Sequence, residues 1–128
     1  MGNIRQITLP TCTLAGATGS AAGTATSGAP ITGELLAARI VYSGGTSTED
    51  VTISTVGGSM TLLQLSNNQT SGWYFPRGTA HSNLGGTLSL EGNQPLMVEM
   101  PLCDYVQVVV AEGGTAGNTV TASLVVRN

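Results

Sequence analysis

Most of the chain after residue 33 alternates between apolar and polar positions, which is the period of a half-buried β-strand. Asp50 to Val56 alternates most cleanly, with Val51, Ile53 and Thr55 on one face. Similar segments cover residues 34–42, 60–65, 96–102, 105–111 and 119–127, and turns rich in Gly or Asn separate them. The pattern predicts an all-β fold, an antiparallel β-sandwich of seven or eight strands of the jelly-roll or immunoglobulin-like kind.

The same alternation predicts which side chains face the core. In the strand that ends at Gly44, the inward residues are expected to be Leu36, Ala38, Ile40 and Tyr42. In the last two strands, the expected inward residues are Val106, Val108, Val110, Val120, Ala122, Leu124 and Val126. The Gly-rich segment 113–118 is expected to join these two strands as a hairpin.

The N-terminal quarter of the chain has a different character. Residues 4–9 alternate weakly and predict one short strand, but residues 10–33 are mainly Ala, Gly, Thr and Ser. Such a segment buries too little surface to offset its ordering entropy. We therefore predict a flexible N-terminal arm over 1–33 and a sandwich domain over 34–128. The arm is either a solvated linker or a segment that orders on a partner, and Arg5, Ile7 and Leu9 are its candidate interface residues.

Charge restricts the classes of partner. Charged residues make up 9% of the chain, the net charge is −3, and there is no Lys. The basic residues are Arg5, Arg39, Arg77 and Arg127. Binding to nucleic acid or to an anionic membrane needs clustered basic residues, so neither is expected. Apolar segments are too short to span a bilayer, and no signal-peptide pattern begins the chain, so synthesis in the cytoplasm is expected.

No motif for catalysis, cofactor binding or metal binding is present. His81 is the single His, and no GxSxG motif accompanies it. Glu49 and Asp50 are interpreted as turn and edge charges, because the rest of a calcium loop is missing. Cys12 and Cys103 lack a CxxC pattern or His partners, and Cys103 is expected to be a small buried hydrophobe. We therefore expect neither an enzyme nor a cofactor or metal site.

The segment Trp73-Tyr74-Phe75-Pro76-Arg77 contains three of the five aromatic residues. Neighbouring side chains of a strand point to opposite faces. The favoured interpretation places Trp73 and Phe75 in the core, with Tyr74 half-exposed. Two functional alternatives stay open: an interface anchor that includes Arg77, and a platform on which a sugar stacks.

Several of these segments together resemble small virion proteins of tailed bacteriophages, and most of all capsid decoration (cement) proteins. In that group an Asp-led strand precedes an aromatic-Pro-Arg segment, and a Val-rich strand ending in Gly-Gly follows. The matching segments here are 39–42, Asp50-Val51-Thr52-Ile53-Ser54, 62–67, 73–77 and 106–114. Phe75 is an addition to the aromatic segment of the group. The resemblance covers about residues 33–127.

The resemblance implies a structural protein of the capsid exterior that binds the major capsid protein and holds neighbouring subunits against internal DNA pressure. It also implies a homo-oligomer, dimer or trimer, located on the virion after synthesis in the host cytoplasm. A surface with so few charges suits a protein packed on a lattice better than a free monomer. The alternatives are a tail- or fibre-associated module that recognises a host-surface glycan, a shell subunit in its own right and, least supported, a small hydrolase.

Overall fold

The computed structural model describes residues 2–44, 49–67, 70–79, 81, 83–87, 89–90, 94–95 and 97–128, and every regular element among them is a β-strand. The predicted all-β class is therefore confirmed. In these residues there is no helix that is long and apolar enough to cross a membrane. The strands are β1 Ile4–Thr8, β2 Cys12–Thr13, β3 Ala21–Thr26, β4 Ile31–Ser43, β5 Asp50–Thr55, β6 Thr61–Leu65, β7 Gly72–Tyr74, β8 Gly78–Thr79, β9 Ser89–Leu90, β10 Gln94–Pro95, β11 Met97–Val98, β12 Met100–Asp104, β13 Val106–Gly113 and β14 Thr119–Arg127.

Two antiparallel sheets make up the sandwich. Sheet I has the order β1-β14-β4-β12, with β2 also paired to β14 and β7 also paired to β4. Sheet II has the order β3-β13-β5-β6. Two short ladders, β9–β10 and β8–β11, lie outside both sheets. Buried side chains from both sheets belong to one hydrophobic cluster, so the two sheets share a core.

The inner faces follow the predicted alternation in most strands. Val51, Ile53 and Thr55 of β5 are buried, as expected. The predicted inward residues of β13 and β14 are also all buried: Val106, Val108, Val110, Val120, Ala122, Leu124 and Val126. Each fully buried Val, Leu or Ile contributes roughly 1.5–3 kcal/mol relative to an exposed one. This shared apolar layer is the main source of the fold's stability.

A β-bulge changes the alternation in β4. Ala37 pairs with Val125, but the next pair is Leu35 with Val126, so Leu36 is an extra residue on this strand. As a result Leu35 is fully buried and Leu36 is only half-buried. The predicted inward position of Leu36 is therefore wrong. Ala38 and Ile40 do face the core, and Tyr42 packs against it.

The connection 114–118 is not a hairpin, because β13 belongs to sheet II and β14 to sheet I. Strand alternation identifies an inward face but does not say which of two sheets a strand joins. The links β3–β4, β4–β5 and β12–β13 also cross between sheets, whereas β5 and β6 are joined within sheet II.

Asp104 secures one of these crossings. Its carboxylate accepts hydrogen bonds from the backbone N–H groups of Gly57 at 2.7 Å, Gly58 at 2.9 Å and Tyr105 at 2.7 Å. The β5–β6 turn is thereby tied to the end of β12. The bond from Gly58, followed by those from Tyr105 and Gly57, outweighs desolvation and holds the pKa of Asp104 below its usual value.

The predicted arm over residues 1–33 is wrong as far as it is described, from residue 2 onward. β1 pairs with β14 along its whole length, β3 is an edge strand of sheet II, and β4 runs through the expected boundary at residue 33. The segment supplies six core residues: Leu9, Cys12, Leu14, Ala21, Ala25 and Ile31.

Small residues in this segment serve close packing. A Cβ added to Gly23 of β3 would lie 2.8 Å from the Cys12 sulfur and 2.8 Å from the Thr13 carbonyl oxygen. The Ala- and Gly-rich composition therefore lets β3 approach β2 closely. The same composition is typical of disordered linkers, which is why the sequence alone predicted an arm.

Candidate interaction surface on sheet I

The aromatic segment faces the opposite way from the favoured sequence interpretation. β7 pairs with β4 so that Tyr74 lies opposite Ala38 and Trp73 lies opposite Arg39. Because Ala38 is an inward residue, Tyr74 packs against the core and Trp73 points outward. Trp73 is 48% exposed and Phe75 is 67% exposed. The prediction that these two residues fill the core is therefore wrong.

Arg39 and Trp73 form the centre of an outward surface on sheet I. The Arg39 guanidinium carbon lies 5.9 Å from the centre of the Trp73 ring, within the range of a cation–π contact. Val41 is on the same face of β4, two residues further on, and is 38% exposed. Phe75 follows β7 directly. We call Arg39, Val41, Trp73 and Phe75 the outer-face patch.

Arg77 is a tether for this segment. Its Nη1 donates to the carbonyl oxygen of Leu36 at 2.9 Å and to that of Pro76 at 2.8 Å. Leu36 is the bulge residue of β4, and Pro76 is buried. The guanidinium therefore fixes the chain that follows Phe75 to β4. Arg77 was one of the predicted interface residues. It is half-buried, and its guanidinium already donates to two backbone carbonyl oxygens.

An ion-pair cluster lies beside Arg77. Arg127 Nη2 donates to Glu34 Oε2 at 2.7 Å and to Glu99 Oε2 at 2.5 Å. With Arg77, Met97 and Val98 these residues line an open cleft of about 430 Å³. The hydrogen bond and the positive charge of Arg127 hold the pKa of Glu34 below its usual value. The cluster ties β4 and β14 to the chain between β11 and β12.

Polar groups lie behind the patch, on the inner side of sheet I. The Tyr74 hydroxyl donates to the Thr70 carbonyl oxygen at 3.1 Å. Burial, with smaller contributions from Tyr74 and Glu49, raises the pKa of Tyr42 well above its usual value. Glu49 is only 1% exposed, and its Oε2 has no hydrogen-bond partner among the described residues.

The interpretation of Glu49 as a turn or edge charge is therefore wrong, because the residue is buried. Asp50, its neighbour, is the first residue of β5. Its Oδ1 accepts a hydrogen bond from the Asn67 N–H at 2.8 Å and so holds the end of the β5–β6 hairpin. Residues 45–48, which precede this pair, lie outside the described residues.

The three candidates in β1 and directly after it, Arg5, Ile7 and Leu9, lie in three environments. Leu9 is 2% exposed and belongs to the core, so its prediction as an interface residue is wrong. Ile7 is half-buried and packs against the core, and Arg5 is exposed. The alternation of β1, continued to Leu9, places all three side chains on the inner side of sheet I. Leu9 lies in the core, and Arg5 lies at the exposed edge of the sheet.

The remaining candidates for chemistry lie apart from one another. His81 is exposed and forms an isolated bridge with Thr87. Cys103 is exposed and Cys12 is buried, which reverses the expectation for Cys103, and both are free thiols. Burial raises the pKa of Cys12. The described part of the chain holds no group of three or more His, Cys, Asp or Glu side chains placed to bind a metal ion.

Sequence reasoning missed Arg39 and Glu99 as members of these clusters. The alternation around Ala38 and Ile40 already placed Arg39 on the outer face, but nothing in the sequence pairs it with Trp73. Glu99 has no local signal, because its partner Arg127 comes from a distant strand.

Comparisons with protein-family models, with curated proteins and with solved structures gave no match for this chain.

Proposed function

We propose that this protein is a structural component of a tailed-phage virion that binds the outside of the capsid and holds neighbouring major capsid subunits together. The observation that supports this most is the outer-face patch. Trp73 and Phe75 expose large apolar surfaces next to Arg39, and Trp and Arg are the residues most enriched at the energetic centres of protein interfaces.

The arrangement of the patch suits a rigid contact. Trp73 is held in a strand, stacked by Arg39, and the following chain is fixed by Arg77. A side chain that is already ordered loses less entropy when it binds. In this proposal the protein acts mechanically and without a cofactor, and it contacts neither nucleic acid nor membrane.

Several weak contacts between each oligomer and the capsid would together stabilise the shell. A dimer or trimer that presents one patch per subunit binds several capsid subunits at once, so its avidity exceeds the affinity of each contact. The homo-oligomer and the location on the capsid exterior are parts of this proposal.

The test is co-sedimentation with capsids of the phage that encodes the protein, stripped of it beforehand. We expect saturable binding in a fixed ratio to the major capsid protein and a higher temperature of capsid rupture. Trp73→Ala should weaken binding by roughly tenfold or more, the effect of an interface hot spot. Tyr105→Ala, which truncates another exposed aromatic residue (42%) outside the patch, is the matched control. Equal binding by all three proteins would overturn the proposal.

One observation favours the glycan-binding alternative, namely the exposure of the Trp73 ring. The Arg39 guanidinium over that ring is a feature of protein contacts and leaves less of it for a sugar. Trp73 is the single Trp, so a saccharide titration followed by its fluorescence reports on this site alone. Saturable quenching, with no binding to capsids, would favour the tail- or fibre-associated module.

A further inference from the structure

A cleft opens along one side of the sandwich, between β1 and the connection from β3 to β4. Its volume is about 180 Å³. Ile7 and Leu9 form one wall, Pro30 and Ile31 form the other, and Arg5 lies at the rim. Leu9 and Ile31 are buried, Ile7 is half-buried, and Arg5 and Pro30 are exposed. The cleft therefore combines these aliphatic side chains with the polar Thr8 and Ser27, and Arg5 is the single charged group in its lining.

The two sheets are joined further along this side, which limits the cleft to one end. Ala15 and Ala22 exchange backbone hydrogen bonds of 3.0 and 2.9 Å, so the chain after β2 bonds directly to β3. The close approach of Gly23 to Cys12 continues this closure. β1 has no such link to sheet II among the described residues, and there the edges of the two sheets are separate.

β1 presents a free edge at this opening. It pairs only with β14 among the described strands. The bonds from Leu9 N to Ala122 O and from Asn128 N to Asn3 O fix the phase of this ladder. In an antiparallel ladder, alternate residues bond to the partner strand. Residues 5 and 7 therefore bond to β14, and the backbone groups of Ile4, Gln6 and Thr8 face away from it.

A strand that adds to this edge would carry alternate side chains into the cleft. Arg5 and Ile7 lie opposite Val126 and Leu124, which are inward residues, so their side chains are on the inner side of sheet I. Inward residues of the added strand would lie beside Arg5 and Ile7. These positions are two residues apart, or roughly 7 Å along a strand.

Arg5 supplies the charge preference. Its Nη2 makes one long hydrogen bond, 3.4 Å, to the Thr32 carbonyl oxygen, and it forms no ion pair with a described carboxylate. A guanidinium at the rim of an apolar cleft binds a carboxylate through charge-assisted hydrogen bonds. The complementary segment therefore has an apolar residue beside Ile7 and an acidic residue beside Arg5.

We propose that the free edge of β1 and the adjoining cleft bind an extended segment of a partner protein, which adds as a strand and carries an aliphatic residue and an Asp or Glu two positions apart. Main-chain hydrogen bonds to Ile4, Gln6 and Thr8 provide affinity, and Ile7 and Arg5 select the side chains. This site is separate from the outer-face patch, and the proposal does not depend on the capsid role.

The test uses the peptide Thr-Asp-Thr-Val-Thr-Asp-Thr, acetylated and amidated, which places Asp two residues from Val in either strand direction. Hydrogen exchange of assigned backbone amides is measured by NMR with and without about 2 mM peptide, a concentration suited to millimolar affinity. We expect the amides of Ile4, Gln6 and Thr8 to exchange quickly in the free protein and to become protected by the peptide. The amides of Arg5 and Ile7 should be protected in both states.

Charge reversal gives the matched control. Arg5→Glu should lower the affinity for the Asp peptide by roughly tenfold, the effect of losing a charge-assisted pair, and should create a preference for the peptide with Lys in place of Asp. Gln64→Glu adds an exposed negative charge on β6, at the far edge of sheet II from β3, and should leave peptide binding unchanged. Failure of the peptide to protect the three amides, or equal binding of the Asp and Lys peptides, would overturn the proposal.

A second copy of the chain is the competing occupant. Protection of the same amides without peptide, increasing with protein concentration, would assign the edge to self-association and overturn the partner segment. Neither result alters the capsid co-sedimentation of Trp73→Ala, so failure of this proposal is distinguishable from failure of the proposed function.

Discussion

Asp104 is a single residue that holds two distant parts of the chain together. Its carboxylate accepts three backbone hydrogen bonds, and that from Gly58 does most to lower its pKa. A carboxyl whose pKa is lower in the folded state stabilises the fold above its unfolded pKa, which is about 3.9 for Asp. This contribution is lost as the pH falls through the folded value.

We therefore expect Asp104→Asn to lower the free energy of unfolding by a constant amount between about pH 5 and pH 8. Below about pH 4 the difference from the wild type should shrink, because the wild-type carboxyl becomes protonated as well. Urea titrations at several pH values measure both quantities. A difference that stays constant down to pH 2 would contradict the assignment of a charged Asp104.

Gly33 occupies a conformation that other residues rarely adopt. Its φ is +127°, and an added Cβ would lie 2.6 Å from the Arg127 carbonyl oxygen and 2.6 Å from the Val126 side chain. Gly33→Ala should destabilise the protein by roughly 1–3 kcal/mol, the range for strained backbone positions. Gly28→Ala is the control, since nothing lies within 4 Å of its added Cβ, and we expect a change within about 0.5 kcal/mol. Thermal unfolding of the two variants compares them directly, and equal stabilities would contradict this account.

The sequence predicts whether a side chain points inward or outward only where it also fixes the register of the strand. The period of two placed Val108 and Leu124 inward, and both are buried. The same rule applied to Trp73-Tyr74-Phe75 gave two possible phases, and hydrophobicity favoured the wrong one. Pairing of Tyr74 with Ala38 decides the phase, and that contact joins residues 36 positions apart in sequence. No local signal contains this information.

At the scale of elements, the N-terminal strands are part of the sandwich and not an accessory to it. β1 and β2 extend sheet I beside β14, and β3 pairs with β13 in sheet II. Removal of residues 1–30 would therefore expose the inner sides of β14 and β13 and delete five core side chains, from Leu9 to Ala25.

We expect this truncated protein to lose cooperative unfolding and to aggregate, because deletion of even one large core side chain costs about 2–5 kcal/mol. Removal of residues 1 and 2, which precede β1, should leave the unfolding transition in place. Circular dichroism and one-dimensional NMR distinguish the two cases. Dispersed methyl resonances in the protein without residues 1–30 would restore the interpretation of this segment as an arm.

The sequence predicted the strands that have large aliphatic residues at alternate positions, but it predicted neither the small-residue strands β2 and β3 nor the connectivity. Aliphatic residues at every second position identified β5, β13 and β14. β3 has the sequence Ala-Ala-Gly-Thr-Ala-Thr. Its buried residues are small, so their hydrophobicity differs little from that of the exposed residues between them. The bulge at Leu36 interrupts the period of β4, and the crossing at 114–118 has the composition of a hairpin turn. These features depend on contacts with strands that are distant in sequence.

At the scale of the whole molecule, the two proposed contact surfaces use opposite edges of sheet I. The order β1-β14-β4 places the free edge of β1 on one side, and β7 carries Trp73 on the far side of β4. The two surfaces therefore do not compete. In our proposals, a partner strand on β1 leaves the outer-face patch free to contact the capsid.

These two surfaces should respond differently to salt, because one is mainly apolar and the other depends on an ion pair. Screening shortens the Debye length from about 10 Å at 0.1 M to about 3 Å at 1 M ionic strength. We expect capsid affinity, measured by co-sedimentation in NaCl over this range, to change by less than about twofold, because apolar burial is not screened. The affinity of the Asp peptide for the cleft should fall several-fold, since Arg5 is exposed and its ion pair is screened.

The variants separate the two surfaces within the same titration. Arg5→Glu should remove most of the affinity for the Asp peptide and reverse the sign of its salt dependence, because salt then screens a repulsion. Trp73→Ala should weaken capsid binding equally at both salt concentrations. A steep loss of capsid affinity in 1 M NaCl would mean that Arg39 meets an acidic capsid surface. Trp73 would then orient that guanidinium through the cation–π contact, and the main attraction in the outer-face patch would be electrostatic.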